Sequence, residues 1–137
     1  MLEVISRVEV PIACEDDVVV VRRRVRVLAG QRQLDSFAVA AVTTATSELV
    51  RNVYVHAGGG KAILEEVTDG TRYGLRATFI DEGPGIDDLE RVLRGGYSTA
   101  HTMGLGLSGS RRLVDRFEIE TEPGKGTCVK IEKWAPF

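Results

Sequence analysis

Cysteine is scarce in this chain of 137 residues, long apolar runs are missing, and neither sign of charge is in marked excess. The two cysteines, Cys14 and Cys128, stand far apart and have neither metal-site nor redox spacing. Reduced thiols in a reducing compartment are therefore expected. No apolar run approaches the ~18 residues of a membrane-spanning helix, and no charged start followed by an apolar stretch resembles a signal peptide. A cytoplasmic protein that does not cross a membrane is expected. The net charge of -2 supplies no global basic field towards nucleic acid or anionic lipid. The local run Arg22-Arg23-Arg24 reads as a solvated helix face. Internal repeats, linkers and low-complexity tracts are also absent.

What is present suits one domain over residues 1–137, since this length supports one core and not two. The hydrophobic fraction of 43% and charged fraction of 28% are those of an ordinary globular domain. Leu2 to Ile12 alternates weakly and predicts a strand. Glu15-Asp16-Asp17 places negative charge at a helix start. Val18, Val21, Val25 and Leu28 then keep helical spacing up to Gly30. Asp35 or Ser36 caps a long helix that Gly58-Gly59-Gly60 ends. Lys61 to Thr68 and Arg72 to Ile80 predict strands joined through Asp69-Gly70, a hairpin signal. A short helix over Asp87 to Arg94, a loop from Gly95 to Met103 and a helix opened by Gly104 to Gly109 follow. Glu118 to Glu122 and Thr127 to Trp134 close the chain as a hairpin about Pro123-Gly124-Lys125-Gly126. This order suits a two-layer α/β sandwich, with a mixed, mostly antiparallel sheet covered by helices on one face.

The stretch Ser47-Glu48-Leu49-Val50-Arg51-Asn52 lies in the long helix. At about 100° per residue, Ala38, Ala41, Val42, Ala45, Leu49 and Val53 form one apolar arc. Asn52 falls within that arc and Glu48 at its edge, so a carboxamide and a carboxylate are expected to point together at the interior. An unpaired polar group there costs roughly 1–3 kcal/mol. Taken alone, the helix is better served by the plain reading, with Asn52 bonded to nearby backbone and Glu48 solvated.

The glycine clusters are weak signals one by one. Gly104-x-Gly106-x-x-Gly109 matches a dinucleotide fingerprint in form, but it stands near the C-terminus rather than after a first strand. Gly83 and Gly85 let backbone approach a flat ring, and Gly104 and Gly106 leave amides free for phosphate at a helix start. Taken one at a time, each is better read as merely permitting a turn.

Their order decides the matter. Glu48-x-x-x-Asn52, Asp81-x-Gly83-x-Gly85, Gly104-x-Gly106 and Gly126-Thr127 together resemble the GHKL (Bergerat-type) ATPase and kinase superfamily. Within it, Gly96-Tyr97-Ser98-Thr99 before Gly104-Leu105-Gly106-Leu107 is similar to the anti-sigma-factor serine/threonine kinases. Gly109 to Phe117 looks most like the stressosome switch-kinase type. The resemblance implies the Bergerat fold, ATP and Mg²⁺ as cofactors, and protein serine/threonine kinase activity. It implies that Asn52 ligates Mg²⁺ and that Glu48 is the general base. Asp81 takes the adenine amino group, Gly83 and Gly85 shape the adenine wall, and Thr127 reaches adenine directly or through water. Gly104, Leu105, Gly106 and Leu107 belong to a phosphate-contacting lid, with Ser98, Thr99 and Arg51 as further contacts. The implied substrate is a small STAS-domain antagonist, and the implied later partner a PP2C-type phosphatase. A sigma-sequestering anti-sigma factor kinase, a nucleotide-gated binding module without catalysis, and a stand-alone histidine-kinase domain are the alternatives. Against the last, neither His56 nor His101 sits in a helical phosphoacceptor segment.

Overall fold

The computed structural model describes residues 2–86 and 103–136, with the backbone alone for 103–106. In chain order the elements are β1 (Glu3–Ile12), α1 (Asp16–Gly30), α2 (Ser36–Ala57), β2 (Gly60–Thr68), β3 (Tyr73–Asp81), α3 (Met103–Leu113), β4 (Arg116–Glu122) and β5 (Gly126–Trp134). The expected helix over Asp87 to Arg94 lies outside the described residues.

The five strands form one sheet in the order β1-β2-β3-β5-β4. Every neighbouring pair is antiparallel, so the sheet expected to be mixed has no parallel pair among the described strands. The chain enters β4 at the sheet edge and returns through β5 into the slot beside β3. That return sets Asp81 opposite Thr127 in the β3–β5 register.

The helices cover one sheet face. α2 packs between α1 and α3 and over β2, β3 and β5. Its central place explains why burial extends beyond one stripe, from Ala38 and Ala41 through Val42, Thr43, Ala45 and Thr46 to Leu49, Val50 and Val53. Beneath it, Ala62, Leu64, Leu75, Ala77, Phe79, Val129 and Ile131 rise from the sheet into the same core. α1 contributes Val18, Val21, Val25 and Ala29, leaving Arg22, Arg23 and Arg24 exposed. Truncating a fully buried side chain such as Leu49 to alanine costs about 2–5 kcal/mol.

Local chemistry sets the boundaries. Asp35 caps α2 by accepting from the Ala38 N–H at 2.8 Å. Gly58 ends the helix in the left-handed conformation, with φ of 77°. Between β2 and β3, Asp69 Oδ1 accepts from the Thr71 N–H, the Thr71 hydroxyl and the Arg72 N–H at 2.9, 2.8 and 2.9 Å. These bonds hold its carboxyl well below the usual carboxylate range. At the far end of the sheet the buried Glu66 carboxylate pairs with Arg32, whose guanidinium also lies 5.1 Å from the Tyr73 ring centroid. Both cysteines are free thiols, and burial pushes the Cys128 thiol up. No helix among the described residues is long and apolar enough to cross a membrane.

Candidate active site

A pocket opens where α2, the end of β3, the start of α3 and β5 converge. Among the described residues its walls are Leu49, Asn52 and Val53 of α2, Phe79 and Asp81 of β3, and Thr127 and Val129 of β5. Ile86 and Leu107 complete the lining. Apolar side chains make most of this surface, and Asn52, Asp81 and Thr127 are the polar groups set into it. An apolar slot with a few fixed polar groups suits a flat heteroaromatic ligand.

Asp81 stands on the last residue of β3. Its Oδ1 accepts from the Gly83 N–H at 2.9 Å. Burial pushes its carboxyl above the ordinary value, opposed by hydrogen bonds from the Gly83 and Thr127 N–H groups and by the nearby His56. An ionised carboxylate only accepts, so what it faces in the pocket must donate.

The segment after Asp81 is clamped by the β4–β5 hairpin. Gly124 N–H donates to the Pro84 carbonyl at 2.7 Å, and Ile86 N–H donates to the Thr121 hydroxyl at 2.9 Å. Gly85 has φ of 74°, and a Cβ there would stand 2.3 Å from the Glu122 carbonyl oxygen. At Gly83 a Cβ would stand 2.5 Å from that of Ala57. Both glycines are thus required by protein packing against the hairpin and the end of α2. The packing of the protein alone therefore accounts for a glycine at each position.

Asn52 is half-buried, and its amide nitrogen is sealed from solvent without a hydrogen-bond partner among the described residues. A buried donor without a partner costs about 1–3 kcal/mol. No group of three or more His, Cys, Asp or Glu side chains gathers to hold a metal among the described residues. The side-chain oxygen of Asn52 is a hard ligand of the kind that Mg²⁺ accepts beside phosphate oxygens.

Glu48 is not with Asn52. Its side chain is 43% exposed, 3.3 Å from the Arg51 guanidinium, in an open groove shared with Arg22, Arg26 and Ser47. The two side chains expected to point together into the interior instead face different spaces. Because Glu48 lies at the edge of the apolar arc, a small rotation of its rotamer decides its direction.

Gly104, Leu105 and Gly106 lie in the first turn of α3, where amides lack intrahelical partners. Leu107, 2% exposed, brings that helix start to the pocket wall. Ser98 and Thr99 lie outside the described residues. Sequence reasoning missed Thr121 and the apolar liners Leu49, Val53, Phe79, Ile86 and Val129. Thr121 had a signal, because counting back through the Pro123–Gly126 turn pairs it with Thr127 on one strand face.

Against known proteins, residues 38–136 match the family described as Histidine kinase-, DNA gyrase B-, and HSP90-like ATPase. Fold and match together define the class, a two-layer α/β sandwich that uses ATP. Over 125 residues the chain is 39% identical to the serine/threonine-protein kinase RsbT of Bacillus subtilis, covering 91% of this chain and 94% of that one. It is 31% identical over 102 residues to an anti-sigma F factor of a Thermoanaerobacter species, covering 70% of each. The RsbU and RsbW domains of a Mycobacterium tuberculosis protein share the fold with a TM-score of 0.67 at 20% identity, over 96% of this chain and 33% of theirs. The chain belongs to this ATPase family and, within it, to the serine/threonine-protein kinases.

Proposed function

We propose that the protein is a single-domain cytoplasmic kinase over residues 1–137 that transfers phosphate from Mg-ATP to a serine or threonine of a small STAS-domain antagonist. After transfer it is released to bind and activate a PP2C-type phosphatase, as a partner switch in stress signalling. The observation that carries the reading is the pocket in which Asn52, with its orphaned buried amide, shares a lining with Asp81 and Thr127.

In this reading Asp81 accepts from the adenine amino group, Thr127 meets the neighbouring ring edge, and Ile86 and Leu107 cover the ring faces. Asn52 holds Mg²⁺ through its amide oxygen, and the metal when bound offsets phosphate charge. The first-turn amides of α3 bind phosphate oxygens. Glu48 orients the attacking hydroxyl and takes its proton. Its present pair with Arg51 is an exposed i,i+3 contact, worth about 0–1 kcal/mol, so a docked hydroxyl can draw it away. Phosphoryl transfer asks mainly for positioning and charge neutralisation, which this residue set supplies.

The outward direction of Glu48 also favours a second reading, a nucleotide-gated binding module whose output is partner choice. A pull-down from native extract with Mg-ATP, followed by phosphosite mapping, separates the two. An acid-stable phosphoserine or phosphothreonine on a small partner is expected. ATP-dependent partner exchange with no transferred phosphate favours the module, and capture of a sigma factor favours a sequestering anti-sigma kinase.

A further inference from the structure

The groove that holds Glu48 runs along the outer side of α2, beside α1. Small α2 residues, Ala40, Thr43, Thr44 and Ser47, recur along its floor at i, i+3, i+4 and i+7. That spacing keeps them on one helix face, and their size lets another chain come close to α2. The rim is charged. Arg22 and Arg26 stand one turn apart on α1, exposed and without an ion-pair or hydrogen-bond partner among the described residues. Arg51 meets Glu48 at 3.3 Å. Three guanidinium groups thus face one carboxylate, in a chain whose net charge is -2. The excess is local, so it suits a short acidic segment rather than a nucleic-acid backbone or an anionic membrane.

Glu48 connects this groove with the chemistry. The residue assigned as base opens into the groove and not into the nucleotide pocket, so the approach it leaves open to a hydroxyl is along α2. A protein that presents its hydroxyl there also brings the neighbouring side chains over Arg22 and Arg26. We infer that the groove docks an acidic segment of the protein substrate, with the acceptor hydroxyl at Glu48 and carboxylates on Arg22 and Arg26. Two carboxylates one helical turn apart match the two arginines, each through a forked pair of N–H···O bonds. The inference rests on the kinase reading and adds to it what the substrate carries beside its serine or threonine.

The test uses the full chain and two fluorescein-labelled helical peptides of alanine with one serine. One carries glutamates four residues apart, the other glutamines in their place, and anisotropy reads binding. The glutamate peptide should bind about tenfold more tightly at low salt, and lose that advantage as salt rises. Arg22→Glu/Arg26→Glu should abolish the difference. Arg24→Glu, at an exposed position of the same helix outside the groove, should change it by less than about twofold. Melting temperature and ATP affinity should match the parent in both variants. With the small partner captured on Mg-ATP, Arg22→Glu/Arg26→Glu should raise KM about tenfold and leave kcat unchanged. A parent without preference for glutamate, or an equal loss in Arg24→Glu, overturns the proposal. An unchanged KM for the captured partner in the double variant also overturns it, and leaves the kinase reading standing. Stronger competition by a random DNA duplex, or a self-associated state lost in the double variant, gives the groove another occupant and overturns it as well. A parent that prefers the glutamate peptide through Arg22 and Arg26 yet transfers phosphate to no partner overturns the kinase reading, and with it the assignment of the groove to a substrate.

Discussion

Asp81 and Gly126 meet backbone to backbone: a Cβ on Gly126, whose φ is 100°, would stand 2.2 Å from the Asp81 carbonyl oxygen. The close crossing brings the next residue of β5, Thr127, into register with Asp81. The half-buried Asp81 carboxylate accepts from the Gly83 N–H at 2.9 Å, which fixes its direction, and it lines the pocket beside Thr127.

This direction sets base choice. Asp81→Asn replaces an acceptor-only tip by one that also donates, so the preference for ATP over GTP should weaken, by about tenfold or more. Competition binding of the two nucleotides checks it. An Asp81→Asn variant as selective as the parent would remove Asp81 from base recognition.

Two hairpin and loop glycines with similar backbone angles should behave differently. Gly124, φ 80°, has open space where a Cβ would go, whereas Gly85, φ 74°, faces the Glu122 carbonyl. Gly124→Ala should cost only the left-handed penalty, roughly 1–2 kcal/mol, and leave ATP affinity alone. Gly85→Ala must also push apart the segment that carries Ile86, so ATP affinity should fall about tenfold, or ~1.4 kcal/mol. Thermal melts beside calorimetry separate the two losses.

Asp69 gives a pH-dependent prediction. Its carboxyl is lowered by the backbone N–H groups of Arg72 and Thr71 and by the Thr71 hydroxyl. A depressed acid stabilises the fold above its unfolded value, near 3.9, and loses that contribution as pH falls towards the folded value. Asp69→Ala should therefore melt several degrees lower at neutral pH. The gap to the parent should narrow below about pH 4, in a series of melts from pH 7 downwards.

Much of the fold is legible in local chemistry. The spacing of Ala38, Val42, Ala45, Leu49 and Val53 marks α2, and Asp35, Gly58 and Asp69-Gly70 mark caps and a turn whose causes lie within a few residues. The antiparallel insertion of β5 beside β3 is not local, since strand order depends on pairings far apart in sequence. The same holds at the site. Asn52 and Asp81 stand out by motif, but the partners of Gly83 and Gly85 are Ala57 and Glu122, which no spacing reveals. Thr121 matters only because of what folds against it. The direction of the Glu48 side chain was not legible for a finer reason, because a residue at the border of a helical arc can turn to either side.

That border position makes Glu48 the residue best tested apart from Asn52. Asn52 is assigned to the metal, so Asn52→Ala should weaken Mg-ATP binding and phosphate transfer together. Glu48 is assigned to proton transfer, which typically contributes about 10²–10⁴-fold in rate. Glu48→Gln keeps the shape and a polar tip while removing the basic carboxylate. Because Glu48 is 43% exposed and its partner Arg51 is 50% exposed, the lost ion pair should change stability by less than about 1 kcal/mol. Its melting temperature and ATP affinity should thus match the parent, and any fall in single-turnover transfer to the captured partner reports on the chemistry alone. Transfer at nearly the parent rate would show that Glu48 is not the base and that its outward pair with Arg51 is its resting role. Loss of ATP binding instead would place the carboxylate in the nucleotide site. A fall of a hundredfold or more with binding intact requires Glu48 to leave Arg51 and turn towards the hydroxyl during turnover.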